Sequence, residues 1–240
     1  MRKKILLYLL IVLPFTGYTQ MYENRILQYR EGYKMSLLKG DHALKPTDTS
    51  YLRFYEPDSS YRVKATFEAV TNIPPFQLKT INGGHGPVVS EFGIVYFNMD
   101  GAVITLHVFR LMTKPEFRML ARTIDSSNYD AIFFIPFYDN TNYKQTFGGG
   151  RYLDITGSSL VDGTLILDFN KACNPHAAYE RGYPYIVAPL LQEDYSPGDA
   201  IERNLNPTIE DIDITTKKLL NTIRIDIEAG EKKFDRRAGK

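Results

Sequence analysis

Tryptophan is missing from the 240 residues, cysteine occurs once, and neither sign of charge dominates, since 29 lysines and arginines face 28 aspartates and glutamates. Each shortage excludes something. With Cys173 as its one cysteine, the chain cannot form an internal disulfide or a thiolate-cluster metal site. Cys173 itself reads as a small buried residue rather than a reactive thiol. Balanced charge with no basic stripe lacks the electrostatic footprint of a nucleic-acid binder. No apolar run approaches the roughly 20 residues that a helix needs to cross a bilayer. The four histidines, His42, His85, His107 and His176, nowhere stand four apart as in a zinc-protease helix, and no Gly-x-Ser-x-Gly elbow occurs.

What is present begins with Met1-Arg2-Lys3-Lys4, an apolar run from Ile5 to Phe15, and then Thr16-Gly17-Tyr18-Thr19-Gln20. A charged start, a short apolar stretch and a small-residue exit are the anatomy of a cleavable secretory signal. Pro14 disfavours a longer helix. Gly17 and Thr19 are the small residues a signal peptidase accommodates, so cleavage is expected after Thr19. Residues 1–19 are then the signal and residues 20–240 one exported domain, periplasmic or secreted, with no membrane span left. No cysteine near the cleavage region means no lipoprotein anchor. Processing leaves 26 basic residues against 28 acidic ones.

Downstream, Ile26, Tyr29, Tyr33 and Leu37 recur at helical spacing and predict a helix from Asn24 to Leu38. Period two then takes over. Val63, Ala65, Phe67 and Ala69 alternate with Arg62, Lys64, Thr66 and Glu68, which predicts a half-buried strand. A Gly/His-rich turn is expected from Asn82 to Pro87, a strand from Val88 to Phe97, and an Asp100-Gly101 hairpin leading into Ala102 to Phe109. Lys114 to Arg122 reads as a short helix, and Ile132 to Phe137 as a buried strand ended by Pro136. Later strands are Arg151 to Thr156 and Thr164 to Asn170, then a helix from Ile209 to Leu220 and a last strand at Ile223, Ile225 and Ile227. The fold class is α+β, a mainly antiparallel β-sheet with barrel closure left open, an N-terminal helix and a C-terminal helical insertion. The tail Glu231-Lys232-Lys233-Phe234-Asp235-Arg236-Arg237 is mixed in sign and reads as a solvated end.

The densest run of polar and glycine residues extends from Phe137 through Asp139 and Thr141 to Gly148-Gly149-Gly150-Arg151-Tyr152, and on to Asp168, Asn170 and Asn174. Three glycines entering a strand imply positive φ or close backbone approach. No Lys-Ser/Thr follows them, so a turn is favoured over a phosphate cradle. Period two puts Asp168 and Asn170 on one face of their strand, and an enclosed Asp168 needs a partner, for which Arg151 is the obvious choice. A structural Arg-Asp-Asn network and a ligand site fit that pattern equally well. His176 is the best single histidine for acid/base work.

Taken together, Phe54-Tyr55-Glu56-Pro57-Asp58-Ser59-Ser60-Tyr61-Arg62-Val63, Phe137-Tyr138-Asp139-Asn140-Thr141, Thr146 to Asp154, Leu167-Asp168-Phe169-Asn170-Lys171-Ala172-Cys173-Asn174-Pro175 and Ala229-Gly230-Glu231-Lys232 resemble the uncharacterised bacterial family called domain of unknown function 1684. The resemblance covers most of the mature chain and brings no activity with it. The family pattern has a cysteine two residues after its Asn-Pro. This chain has Ala177 there, which argues against a thiol or metal-thiolate function. Residues 190–220 correspond to an insertion expected at the surface.

Three functions follow as expectations. The first is a small-ligand-binding domain with a preformed pocket lined by Arg62, Asp139, Thr141, Gly148, Gly149, Gly150, Arg151, Tyr152, Asp168, Asn170, Asn174 and Tyr179. The second is a cell-envelope hydrolase using Asp139, Asp168, Glu231 or His176 as acid/base groups and Arg151 for charge stabilisation. The third makes these residues purely structural. The partner implied is a small molecule, and no cofactor or metal is named.

Overall fold

The computed structural model describes residues 2–39, 44–70, 76–79, 85–111, 132–156, 159–175, 178–179 and 221–235. Helix α1 spans Arg2–Lys39, so it starts well before Asn24 and the expected break at Pro14 does not occur. Proline removes one hydrogen bond from a helix and leaves the rest of the ladder available. Its predicted inner face is real, with Ile26 and Leu37 buried and Tyr29 and Tyr33 half-buried.

Among the described residues nine strands follow: β1 Arg62–Ala69, β2 Phe76–Lys79, β3 His85–Met99, β4 Ala102–Leu111, β5 Ile132–Asp139, β6 Arg151–Thr156, β7 Leu160–Val161, β8 Thr164–Asp168 and β9 Thr222–Ile223. They form a mainly antiparallel sheet in the order β6-β5-β4-β3-β1-β8-β7, with β2 beside β3 and β9 parallel to β5. The sheet curls into a half-barrel. Its two sides meet where Tyr152 of β6 pairs with Cys173, just past β8, through reciprocal bonds of 2.9 and 3.0 Å.

Alternation explains which face is inward. In β4, Ile104, Leu106 and Val108 are buried while Val103, Thr105 and Arg110 are exposed. Ala65, Val95, Leu106, Ile135, Phe137, Leu153, Leu167 and Phe169 meet in one core. Removing such apolar surface from water is the main stabilising term. The β3–β4 hairpin turns at Asp100 and Gly101, both at positive φ, as an Asp-Gly pair favours.

Four expectations change. His85 and Pro87 belong to β3 rather than to a turn. Pro136 does not end β5, which runs on to Asp139. Asn170 sits in a short 3-10 turn beyond β8, not on the strand. The last strand shortens to Thr222–Ile223. The predicted helices at 114–122 and 209–220, the insertion at 190–220, His42 and His176 lie outside the described residues.

Pro136 survives inside β5 for a definable reason. Among the described residues β4 and β5 pair at Phe109 with Phe134 and Arg110 with Phe133. Beyond that point the side chain of Asn221 enters the gap. Its amide nitrogen donates to the carbonyls of His107 (3.0 Å) and Pro136 (2.8 Å), and its oxygen accepts from the His107 N–H at 2.6 Å. The side chain thus does what a neighbouring strand would do, at the residue that has no N–H of its own. From there a C-terminal strap, 221–235, runs back over the half-barrel.

Candidate functional site

Most of the described polar residues singled out above fall into three buried or half-buried groups, and an open cleft lies apart from them. The first group is an ion pair. Arg151, with no exposed surface, donates to Asp139 Oδ2 at 2.7 Å, to the Ile227 carbonyl at 2.8 Å and to the Ala229 carbonyl. Asp139 also accepts from the N–H of Thr141 at 2.8 Å and from its hydroxyl. Arg151 therefore does not pair with Asp168, contrary to expectation. Register explains why: Phe137 of β5 lies opposite Arg151 of β6, which puts Asp139 two residues along on the adjacent strand. The glycine turn ahead of it is required by space. Gly150 sits at φ +88°, and a Cβ there would lie 2.9 Å from the Phe137 carbonyl. A ligand has no room around Arg151, whose guanidinium is enclosed by its own partners and the Phe137 ring, 5.3 Å away.

The second group ties α1 to the sheet. Asp168 accepts from the Tyr22 hydroxyl at 2.9 Å and from Asn170. Asn170 also binds the Tyr22 hydroxyl (2.8 Å) and both backbone groups of Asp58, and Arg30 reaches the Tyr55 and Asn170 carbonyls. Arg62 lies opposite Asp168 in the ladder but is exposed.

The third group brings together Asn174, Tyr179 and Glu231, joined by Tyr33 of α1. Glu231 is not part of a solvated tail: none of its surface is exposed. Tyr179 donates to its carboxylate at 2.6–2.7 Å, the Asn174 N–H at 2.9 Å and Tyr33 at 3.3 Å. Loss of water pushes the carboxyl up from an ordinary 4.5 to about 7, against these hydrogen bonds, which favour the anion. Desolvation likewise pushes the neighbouring Cys173 thiol up, with Glu231 adding to it, which makes the thiol a poor nucleophile. Gly230, at φ +76°, delivers Glu231 to this place; a Cβ would stand 2.6 Å from the Ala172 carbonyl.

The open feature lies on the other side of the strap. Lys232 N–H bonds the Arg53 carbonyl and Lys233 N–H the Gln145 carbonyl, both at 2.8 Å. Together with Tyr55, Lys144, Glu228 and Asp235 these residues line a cleft of about 420 Å³. Lys232 Nζ stands 4.4 Å over the Tyr55 ring, and the Tyr55 hydroxyl donates to the side-chain oxygen Oε1 of Gln145. Sequence reasoning missed this cleft, although Tyr55 and Lys232 belonged to the runs that carried the family resemblance. Among the described residues no group of three or more histidine, cysteine, aspartate or glutamate side chains suits a metal ion, and no helix is long and apolar enough to cross a membrane.

The family described as a protein of unknown function, DUF1684, matches residues 48–189. No curated protein matches the chain. A solution NMR structure of an uncharacterized protein of Haloarcula marismortui is similar with a TM-score of 0.54 and 22% identity, covering 90% of this chain and 96% of that one. The likeness is one of fold.

Proposed function

Because this chain belongs to the DUF1684 family of proteins of unknown function, its activity has to be argued from its own surface, and we propose that it is an exported domain that binds a small ligand in the cleft over Tyr55. The observation that carries this is the cleft itself. Its volume of about 420 Å³ falls in the range typical of small-molecule sites, roughly 300–1,000 Å³, and charged and amide side chains line it beside the Tyr55 ring. Backbone hydrogen bonds from the strap hold those groups in place. Export is supported by the signal anatomy of residues 1–19.

A thermal-shift panel of sugars, anions and flavins tests the binding proposal, since a ligand that prefers the folded state raises the melting temperature by mass action. The expected result is a concentration-dependent rise that Lys232→Ala and Gln145→Ala reduce. A panel with no response, and no movement of cleft resonances in NMR spectra, sinks it.

A further inference from the structure

We propose that the ligand of the cleft is a small acidic polyol, a hydroxyl-bearing molecule with one phosphate or carboxylate group, held by that group among Lys232, Arg53 and Lys144; this rests on the cleft being the binding site. The charges argue for it first. Four cations, Arg53, Lys144, Lys232 and Lys233, share the cleft with two carboxylates, Glu228 and Asp235. The chain as a whole is almost neutral, with 29 basic and 28 acidic residues, so the local excess comes from folding rather than composition. Among the described residues, none of these four cations has a carboxylate within ion-pairing distance. Cations gathered on a concave surface focus their field there and favour an anion.

Position argues next. Lys232 is not a free surface lysine: its N–H and carbonyl are bound to Arg53 and Asn174 at 2.8 and 2.9 Å, and its ammonium rests over the Tyr55 ring. Less side-chain freedom is then lost when an anion arrives. Gln145 is oriented in the same way. With its carbonyl oxygen taken by Tyr55, its NH2 group is left as a pair of donors at the cleft.

Glu228 sets the rest of the ligand. A carboxylate at the cleft accepts hydrogen bonds from hydroxyls, and together with the negative charge of Asp235 it repels a second anionic group, so the cleft selects against polyanions while accommodating a polyol. These two carboxylates distinguish this cleft from an unselective basic patch.

The test is titration calorimetry on the full chain at low ionic strength with four probes: glucose 6-phosphate, glucuronate, glucose and inorganic phosphate. The expected result is that glucose 6-phosphate or glucuronate binds at least tenfold tighter than glucose and than inorganic phosphate. The preference shrinks in 0.5 M salt, as screening of exposed charge requires. Lys232→Ala and Lys144→Ala each weaken the acidic sugar about tenfold while the melting temperature of the unliganded protein stays within a few degrees. Glucose binding as tightly as its acidic forms, with the same cleft resonances moving, overturns the ligand class and leaves the binding function standing. Binding of acidic sugars that neither lysine variant changes overturns the placement. Absence of binding by all four probes, together with a silent panel of sugars, anions and flavins, overturns both.

Discussion

Glu231 is a carboxyl placed where water cannot reach it, and its hydrogen-bond partners only partly compensate. Its folded pKa, about 7, lies above the ordinary 4.5, so between those values the folded protein holds a proton that the unfolded chain releases. The stability this confers is full below about 4.5 and declines as pH rises through about 7, beyond which it changes no further. At about 1.4 kcal/mol per pKa unit the decline amounts to about 3 kcal/mol. Urea unfolding at pH 5 and pH 8 measures it, and Glu231→Gln is expected to flatten this part of the profile. The Arg151–Asp139 pair behaves differently. Both side chains have no exposed surface, so removing one partner strands the other: Asp139→Ala or Arg151→Ala is expected to cost about 3–5 kcal/mol by denaturant unfolding. A cost under about 1 kcal/mol would show that water reaches the site. The sequence marked Asp168 as a residue needing a partner and took Arg151 for it, and that pairing was wrong. Arg151 goes to Asp139 because the β5–β6 register sets Phe137 opposite Arg151, and no local pattern shows that register.

Among the elements, the strands that were legible are those with one wet face. β1, β4 and β6 alternate polar and apolar residues because each covers the core on one side only, and their limits were read to within about two residues. β5 was cut short at Pro136 because the rule that proline ends a strand assumes its neighbours need the missing N–H. Here the neighbour at that position is the Asn221 side chain, which asks only for a carbonyl. No local pattern could announce an asparagine 85 residues away in the chain. Asn221→Ala is therefore expected to cost about 2–4 kcal/mol, since three hydrogen bonds go and buried backbone groups of His107 and Pro136 are left unpaired. Hydrogen exchange adds a readout specific to the strap. The Tyr138 N–H, bonded to the Asn221 carbonyl at 3.0 Å, and the His107 N–H should lose protection together, while amides of the β1–β8 ladder change only in step with global stability. Equal loss everywhere would mean that the strap has no separate hold on the half-barrel.

For the molecule as a whole, an antiparallel sheet was foreseeable from a chain of short alternating strands, but its curl into a half-barrel and its closures were not. Single contacts make them: Tyr152 with Cys173 across the open side, Phe54 with Glu231 under the strap, and Tyr22 and Arg30 of α1 on the turn after β8. The cleft shares this origin, since residues near 53, 145, 228 and 232 become neighbours only when the strap is in place. The same kind of contact anchors the N-terminal helix. α1 is continuous from Arg2 to Lys39, and Tyr22, 5% exposed, ties it to the sheet with its hydroxyl bound to Asp168 and Asn170. If residues 1–19 are a removable signal, a chain starting at Gln20 keeps that anchor and should melt within about 2 °C of the full chain. A chain starting at Asn24 loses the tyrosine, and removal of a buried aromatic side chain costs about 3–5 kcal/mol. At about 2–4 °C per kcal/mol for a domain of this size, the melting temperature should then fall by about 6 °C or more. Scanning calorimetry of the three chains decides it: a large drop on starting at Gln20 would make the first helical turns part of the fold and remove the signal assignment.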